Sequence, residues 1–194
     1  VYGEDGSQIV SPFDTEIIKS VRSLSISEVN FKANKQLLFS IGADMDKSYL
    51  MRLKTLSLSQ EAIKKQKDLP IVFTGIHGTG AVLVPRALKE FGFTNVITVA
   101  TQDKIDGNFP TVFSPNPEEP EALKEAILLA KDVGAELVMG TDPDADRVGI
   151  AIPNHKGDYI LLNGNQTGSL LVNYLITRWG EQGKIKGKEF VAKT

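Results

Sequence analysis

Three aspartates at alternate positions, Asp142, Asp144 and Asp146, followed at once by Arg147, are the residues whose types and spacing could do chemistry. In a stretch that is even roughly extended, alternate side chains project to one side, so three carboxylates would crowd one small volume. Two unit negative charges about 6 Å apart repel by roughly 3 kcal/mol at an effective dielectric of about 20. A cation relieves that repulsion, and short, hard carboxylate oxygens suit Mg²⁺ or Ca²⁺ better than a soft metal. We expect a Mg²⁺ site. The plainer alternative is an acidic turn, because Asp142-Pro143 is a turn signal. An EF-hand does not fit: counting from Asp142, Arg147 falls where the glycine belongs and Pro153 where the bidentate Glu belongs. Arg147 has two readings, a counter-charge for the aspartates or a bidentate contact to a phosphoryl group that shares the metal.

Around these residues the chain reads as alternating strands and helices. Ile71-Val72-Phe73 is a buried-type strand, followed by a glycine-rich loop, Gly75 to Gly80, and a helix from Ala81 to Phe91. Asn95 to Val99 and Glu136 to Met139 are further strands, the second leading into the aspartates. Val148 to Ile152 and Tyr159 to Leu162 form a hairpin about Asn154-His155-Lys156-Gly157. Asn116, Pro117 and Glu119 form a helix start, with Glu118-Glu119 complementing the dipole and Gly134 as the stop. Asn163-Gly164-Asn165 opens an apolar helix through Trp179, and its stripe from Leu170 to Trp179 is expected in the core. Before this region, Glu4-Asp5-Gly6 reads as a hairpin or loop. Pro12 to Leu24 is helical behind a Ser11 cap, and 25–36 is a polar linker. Asp44 caps a helix that carries Tyr49, Leu50, Leu53 and Leu56, and a shorter helix covers Ser59 to Lys67. The pattern predicts an α/β domain: a three-layer arrangement with a mixed, largely parallel sheet and helices on both faces. In such sheets ligands sit beyond the carboxyl ends of the strands, where the aspartate loop and the glycine loop both lie.

The glycine loop could cradle a phosphate on free amides, which would suit a nucleotide-binding module, or it could be a tight strand-to-helix turn. It has neither a dinucleotide fingerprint nor a P-loop Gly-Lys-Ser/Thr. His77 in that loop is either a general base or a hydrogen-bonded structural group, and His155 reads as solvated. A phosphatase with an aspartate nucleophile would need its motif on the first strand, with Thr or Val two residues after Asp144; Asp146 stands there instead.

The chain has 194 residues, 41% hydrophobic and 24% charged, enough for one globular domain with appendages. Its 22 basic and 24 acidic residues give a net charge of -2 without a basic block, so neither a nucleic-acid nor a membrane partner is expected. There is no cysteine, which excludes disulfides and thiolate chemistry and suits a reducing, cytoplasmic setting. The opening Val1 and the closing Phe190-Val191-Ala192-Lys193-Thr194, which reads as a strand cut short, suggest a piece of a larger protein.

Several stretches together resemble the α-D-phosphohexomutase superfamily. TDPDADR (Thr141 to Arg147) is similar to its metal-binding loop. TGIHGTG (Thr74 to Gly80), DGNFP (Asp106 to Pro110), SPNPEE (Ser114 to Glu119) and LNGNQTGSLL (Leu162 to Leu171) follow the family order. The SPNPEE and GNQTG forms resemble the branch that holds long bacterial α-phosphoglucomutases and animal phosphoglucomutase/phosphopentomutase enzymes. The resemblance implies four domains around one cleft, with 1–36 the remnant of domain one and a linker, 37–188 the metal-binding domain two, and 189–194 the start of domain three. It further implies reversible transfer of phosphate between C1 and C6 of a hexose through a phosphoserine and a bisphosphate intermediate. Asp142, Asp144 and Asp146 would each give Mg²⁺ one oxygen, and Arg147 would reach toward the phosphoserine. The serine, its lysine, the sugar loop and the substrate-phosphate loop would lie in other domains, and the sugar phosphate would bind jointly with them. The chain alone is expected to be inactive. Whether glucose, mannose or a pentose phosphate is preferred is not legible in these stretches.

Overall fold

A computed structural model describes residues 1–192 of the protein, and the expected start of a following domain at Lys193-Thr194 lies outside the described residues. It divides into two compact units, Val1–Ile41 and a second that begins at Gly42. In the first, Tyr2 and Gln8 bridge antiparallel around a turn with Gly6 at φ +78°, the hairpin expected there. Helix α1 spans Phe13–Ser23. It is flanked by Pro12 rather than capped by Ser11, one residue from expectation, and its apolar residues Phe13, Ile18 and Val21 are exposed.

The second unit opens with α2, Ala43–Lys54, and α3, Gln60–Lys65. Gly42 rather than Asp44 flanks α2, which leaves Asp44 and Asp46 in the first turn, where they complement the dipole. A five-stranded sheet follows, in the order β2-β1-β3-β4-β5. Its strands are β1 Ile71–Thr74, β2 Val96–Thr98, β3 Leu137–Thr141, β4 Val148–Pro153 and β5 Tyr159–Leu162. The β1–β2 and β1–β3 pairs are parallel, whereas β3–β4 and β4–β5 are antiparallel, so β4 alone runs against the rest. The sheet is therefore mixed, as expected, with its parallel half on the β1 side.

Helices cover both faces. Val72, Val138 and Ala151 stand in register across the sheet and pack with Ala126 and Ala130 of α5, Lys124–Val133. Gly140 faces that same side, two residues beyond Val138. The next residue, Thr141, points the other way and meets Gly80 at the start of α4, Gly80–Phe91, with only 2.3 Å between its Oγ1 and the place a Cβ on Gly80 would take. So α5 and α4 sandwich the sheet at the ends of β1 and β3.

Two expectations fail here for identifiable reasons. Helix α5 begins at Lys124, not at Pro117. Pro120 disfavours helical backbone at Glu119 and has no amide to donate, so the capping signals close a turn instead. In that turn the Glu118 amide donates to Asn116 Oδ1 at 3.2 Å, and Glu119 accepts from Ser114 and Asn116, so neither glutamate serves a helix dipole. Helix α6, Gly164–Glu181, is well capped by reciprocal Asn163–Gln166 bonds, yet it has no buried residue. Its stripe from Leu170 (60% exposed) to Trp179 (40%) is not core but stays exposed. Full burial of one such side chain is worth about 1.5–3 kcal/mol, and α6 collects little of that here. Phe190 to Ala192 forms no strand among the described residues.

Candidate metal centre

The aspartate loop joins β3 to its antiparallel neighbour β4, and both ends are fixed by backbone pairing: Thr141 opposite Val148 and Gly140 opposite Gly149. These two glycines are required by close approach. A Cβ on Gly149 would lie 2.0 Å from the Pro117 carbonyl oxygen, and one on Gly140 2.4 Å from Leu123 Cδ2. The segment before α5 thus lies flat on the strands that carry the loop.

The three carboxylates converge, but not by the extended alternation that their spacing suggests. The backbone turns at Pro143–Asp146, the Ala145 amide donates to the Asp142 carbonyl at 3.0 Å, and Ala145 takes φ +61°. With that turn, one oxygen each of Asp142, Asp144 and Asp146 lies within 4.8 Å of the others. Two oxygens on one Mg²⁺ are at most about 4.2 Å apart, and slightly more on Ca²⁺, so the three would draw somewhat closer to share one ion. The donor set is all oxygen, and two of the three groups are solvent-exposed. Its chemistry fits a hard divalent cation.

Asp142 is the anchor. It is 1% exposed and accepts from the Arg147 backbone amide at 3.0 Å and from Arg147 Nε at 2.8 Å. Burial pushes its carboxyl up most strongly as a single influence, but the bonds from Arg147, with one from Asp146, outweigh it and hold the group below the usual carboxylate range. Asp146 goes the other way: its hydrogen bond to Asp142, then repulsion from Asp144 and Asp142, raises it. The Arg147 guanidinium is raised, first by its hydrogen bond to Asp142. Three carboxylates against one guanidinium leave two negative charges in excess when all are ionised, which a divalent cation offsets. Of the two readings of Arg147, the counter-charge role is therefore observed. Its terminal amino groups make no hydrogen bond among the described residues, and its side chain is 55% exposed.

The glycine loop lies directly behind this loop, at the end of the adjacent parallel strand. It is not a phosphate cradle. The Ile76 amide donates to Thr74 Oγ1, His77 to the Gln102 carbonyl, Gly78 to the Gly75 carbonyl and Thr79 to the Pro143 carbonyl. With those four amides spent inside the protein, the loop lacks the run of free donors that a P-loop turns toward a nucleotide phosphate. His77 is buried and bonded on both ring nitrogens, to the Lys104 carbonyl and to Thr111 Oγ1, each at 2.9 Å. It is the structural group of the two readings rather than a base. His155 is exposed in the hairpin.

Ile76, His77, Phe109 and Ala145 are the described non-glycine residues in the left-handed region. All lie in the glycine loop, the 106–110 loop or the aspartate loop. Each such conformation costs of order 1–3 kcal/mol and persists only where its surroundings over-determine it. Sequence reading missed Thr79, Gln102 and Thr111 as members of this assembly. Their partners lie up to 64 residues away, and no local pattern marks them.

Comparison with known proteins agrees with this geometry. The family described as phosphoglucomutase/phosphomannomutase, alpha/beta/alpha domain II, matches residues 47–157, which hold the glycine loop and the aspartate loop. A phosphoglucomutase of Staphylococcus epidermidis is 37% identical over 181 residues, covering 91% of this chain and 32% of that protein. A Haemophilus influenzae protein named as a phosphomannomutase is 35% identical over 181 residues, covering 93% of this chain and 36% of its own length. The chain therefore spans about a third of the length of these curated relatives. A crystal structure carrying the phosphomannomutase name, from Thermus thermophilus, shares the fold with a TM-score of 0.56 at 22% identity, over 70% of this chain and 29% of that one. Convergent carboxylates at the end of a mixed sheet and the match over residues 47–157 lead to one conclusion: the chain belongs to the phosphoglucomutase/phosphomannomutase family, as its alpha/beta/alpha domain II.

Proposed function

We propose that this chain is the metal-binding domain of a phosphohexomutase that interconverts sugar 1-phosphates and 6-phosphates, glucose or mannose, through a phosphoserine and a bisphosphate intermediate. The convergence of Asp142, Asp144 and Asp146 within 4.8 Å is the observation that carries this reading. These three residues would hold Mg²⁺, which when bound offsets negative charge on a transferring phosphoryl group. Arg147 braces the buried Asp142 through Nε, and its side chain is 55% exposed, with terminal amino groups that make no hydrogen bond among the described residues. They suit a bidentate contact to a phosphate that shares the metal. In this reading 1–36 is the remnant of a preceding domain with its linker, 37–188 is the metal domain, and 189–194 begins the next. The sugar phosphate is held jointly with those domains, and the setting is cytoplasmic.

The catalytic serine belongs to another domain, so the chain alone is expected to give no turnover of glucose 1-phosphate in a coupled assay. The full-length protein that carries it is expected to be active. Asp144→Asn in that protein should reduce kcat by at least about 100-fold, in line with loss of a key charge-stabilising group. Unchanged kcat in Asp144→Asn, or turnover by the chain alone, would contradict the proposal. A phosphopentomutase of the same family acts on a pentose instead, and following conversion of ribose 1-phosphate to ribose 5-phosphate separates the two.

A further inference from the structure

The glycine loop is hydrogen-bonded to the aspartate loop at Pro143, and the contact there is tight. Thr79 holds the Pro143 carbonyl with two donors, its amide at 2.8 Å and its hydroxyl at 3.0 Å. Gly78 lies flat against the same residue: a Cβ there would sit 2.3 Å from Pro143 Cα. Pro143 separates Asp142 from Asp144, so whatever fixes it fixes the backbone from which two of the three carboxylates project.

The glycine loop is in turn locked from behind. The Lys104 carbonyl can only accept, so His77 Nδ1 carries a proton and donates to it. Gln102 Nε2 donates to Thr111 Oγ1 at 2.9 Å, and the same hydroxyl is hydrogen-bonded to His77 Nε2 at 2.9 Å. Thr74 Oγ1 donates to Gln102 Oε1 at 2.6 Å and accepts the Ile76 amide at 3.0 Å. The His77 amide donates to Gln102, and its carbonyl accepts from Asp106. Every polar atom of His77 is thus used, and Thr74, His77 and Gln102 are all buried, at 2% exposure or less. A fully satisfied buried network of this kind rigidifies the backbone that it joins.

We infer that His77 and Thr79 are positioning residues for the aspartate loop: His77 locks the glycine loop, and through Thr79 and Gly78 that loop sets where Asp142 and Asp144 stand. The inference deepens the metal reading and rests on it for its function, but its geometry can be tested without metal. The variants are His77→Ala, His77→Asn, Gly78→Ala and Thr79→Val, with Gly168→Ala, where a Cβ meets nothing, as control. Circular dichroism reports whether each variant is folded.

Amide hydrogen exchange without metal reads the protection of Ala145 and Arg147, whose amides are held by Asp142. Mn²⁺ binding, followed by electron paramagnetic resonance, reads the function. Gly78→Ala and His77→Ala are expected to speed exchange in 142–147 about tenfold and to weaken Mn²⁺ binding by about tenfold or more, the usual range for groups that orient ligands. His77→Asn keeps a donor for the Lys104 carbonyl and should recover part of both effects. Thr79→Val is the mildest change and should move both readouts in the same direction by a smaller factor. Should His77→Ala or Gly78→Ala fail to fold, His77→Asn and Thr79→Val carry the test.

Folded variants whose 142–147 exchange matches the parent and the control would overturn the inference. If the parent binds no Mn²⁺ while exchange still rises in the variants, the metal reading fails and the positioning role stands. If the parent binds Mn²⁺, Asp144→Asn abolishes it and the variants change neither readout, the positioning role fails alone.

Discussion

Asp142 is both a buried acceptor and a member of the triad, whereas Asp144 and Asp146 are exposed, and this split separates stability from ligand binding. Asp142→Asn weakens two bonds from Arg147 made inside the protein, and should cost about 1–3 kcal/mol and lower the melting temperature. Asp144→Asn should leave the melting temperature in place and abolish the response to Mg²⁺, so paired melts of the two variants check the division. The pH dependence follows from opposite shifts. Asp142 is held low, so the stability it contributes is complete above the ordinary aspartate range and is lost as pH falls through its depressed value. Asp146 is raised, so its contribution is present while it is protonated and is lost as pH rises through its raised value, when it begins to repel its neighbours. A cation reverses only the second effect. The rise in melting temperature on adding Mg²⁺ should therefore be larger at neutral pH than in mild acid, as thermal melts across pH can show. Equal increments at both would count against the coupling.

At the scale of elements, the site depends on two helices and a turn pressed against β3 and β4. Gly149→Ala drives a Cβ into the Pro117 carbonyl and should cost roughly 1–3 kcal/mol, while Gly107→Ala, where a Cβ meets nothing within 4 Å, should cost far less. Chemical denaturation of both variants measures the difference. Strands and the hairpin were legible in the sequence because apolar runs bounded by turn residues have few alternative folds; Pro153 opposite Tyr159 closes the expected hairpin around 154–157. The start of α5 was not legible from Asn116 and Pro117, since Pro120 three residues on cancels the signal they give. The triad was legible as a group, though its convergence depends on Ala145 in a left-handed turn that alternation cannot foresee. The task of the glycine loop was illegible, because its partners are distant in the chain and its glycines mark close approach to Pro143 rather than to a ligand. Leu170 to Trp179 shows the converse limit: an apolar stripe states what a helix could bury, not what covers it.

Taken whole, the second unit presents a braced acidic loop at the carboxyl end of β3, beside that of the parallel strand β1. Among the described residues no helix is long and apolar enough to cross a membrane. The chain has few ligands of its own for a cation that dehydrates reluctantly, so we expect Mg²⁺ to bind the isolated chain only in the millimolar range. Isothermal titration showing micromolar affinity would contradict that. The central claim, that Asp142, Asp144 and Asp146 share one divalent ion, is tested most directly by paramagnetic broadening of amide NMR signals on titration with Mn²⁺. The expected result is loss of signals centred on 142–147 and on Gly78 and Thr79, reversed by excess Mg²⁺ and absent in Asp144→Asn, with the His155 turn unaffected. Broadening centred elsewhere, such as on Glu118 and Glu119, or none that Asp144→Asn removes, would contradict it.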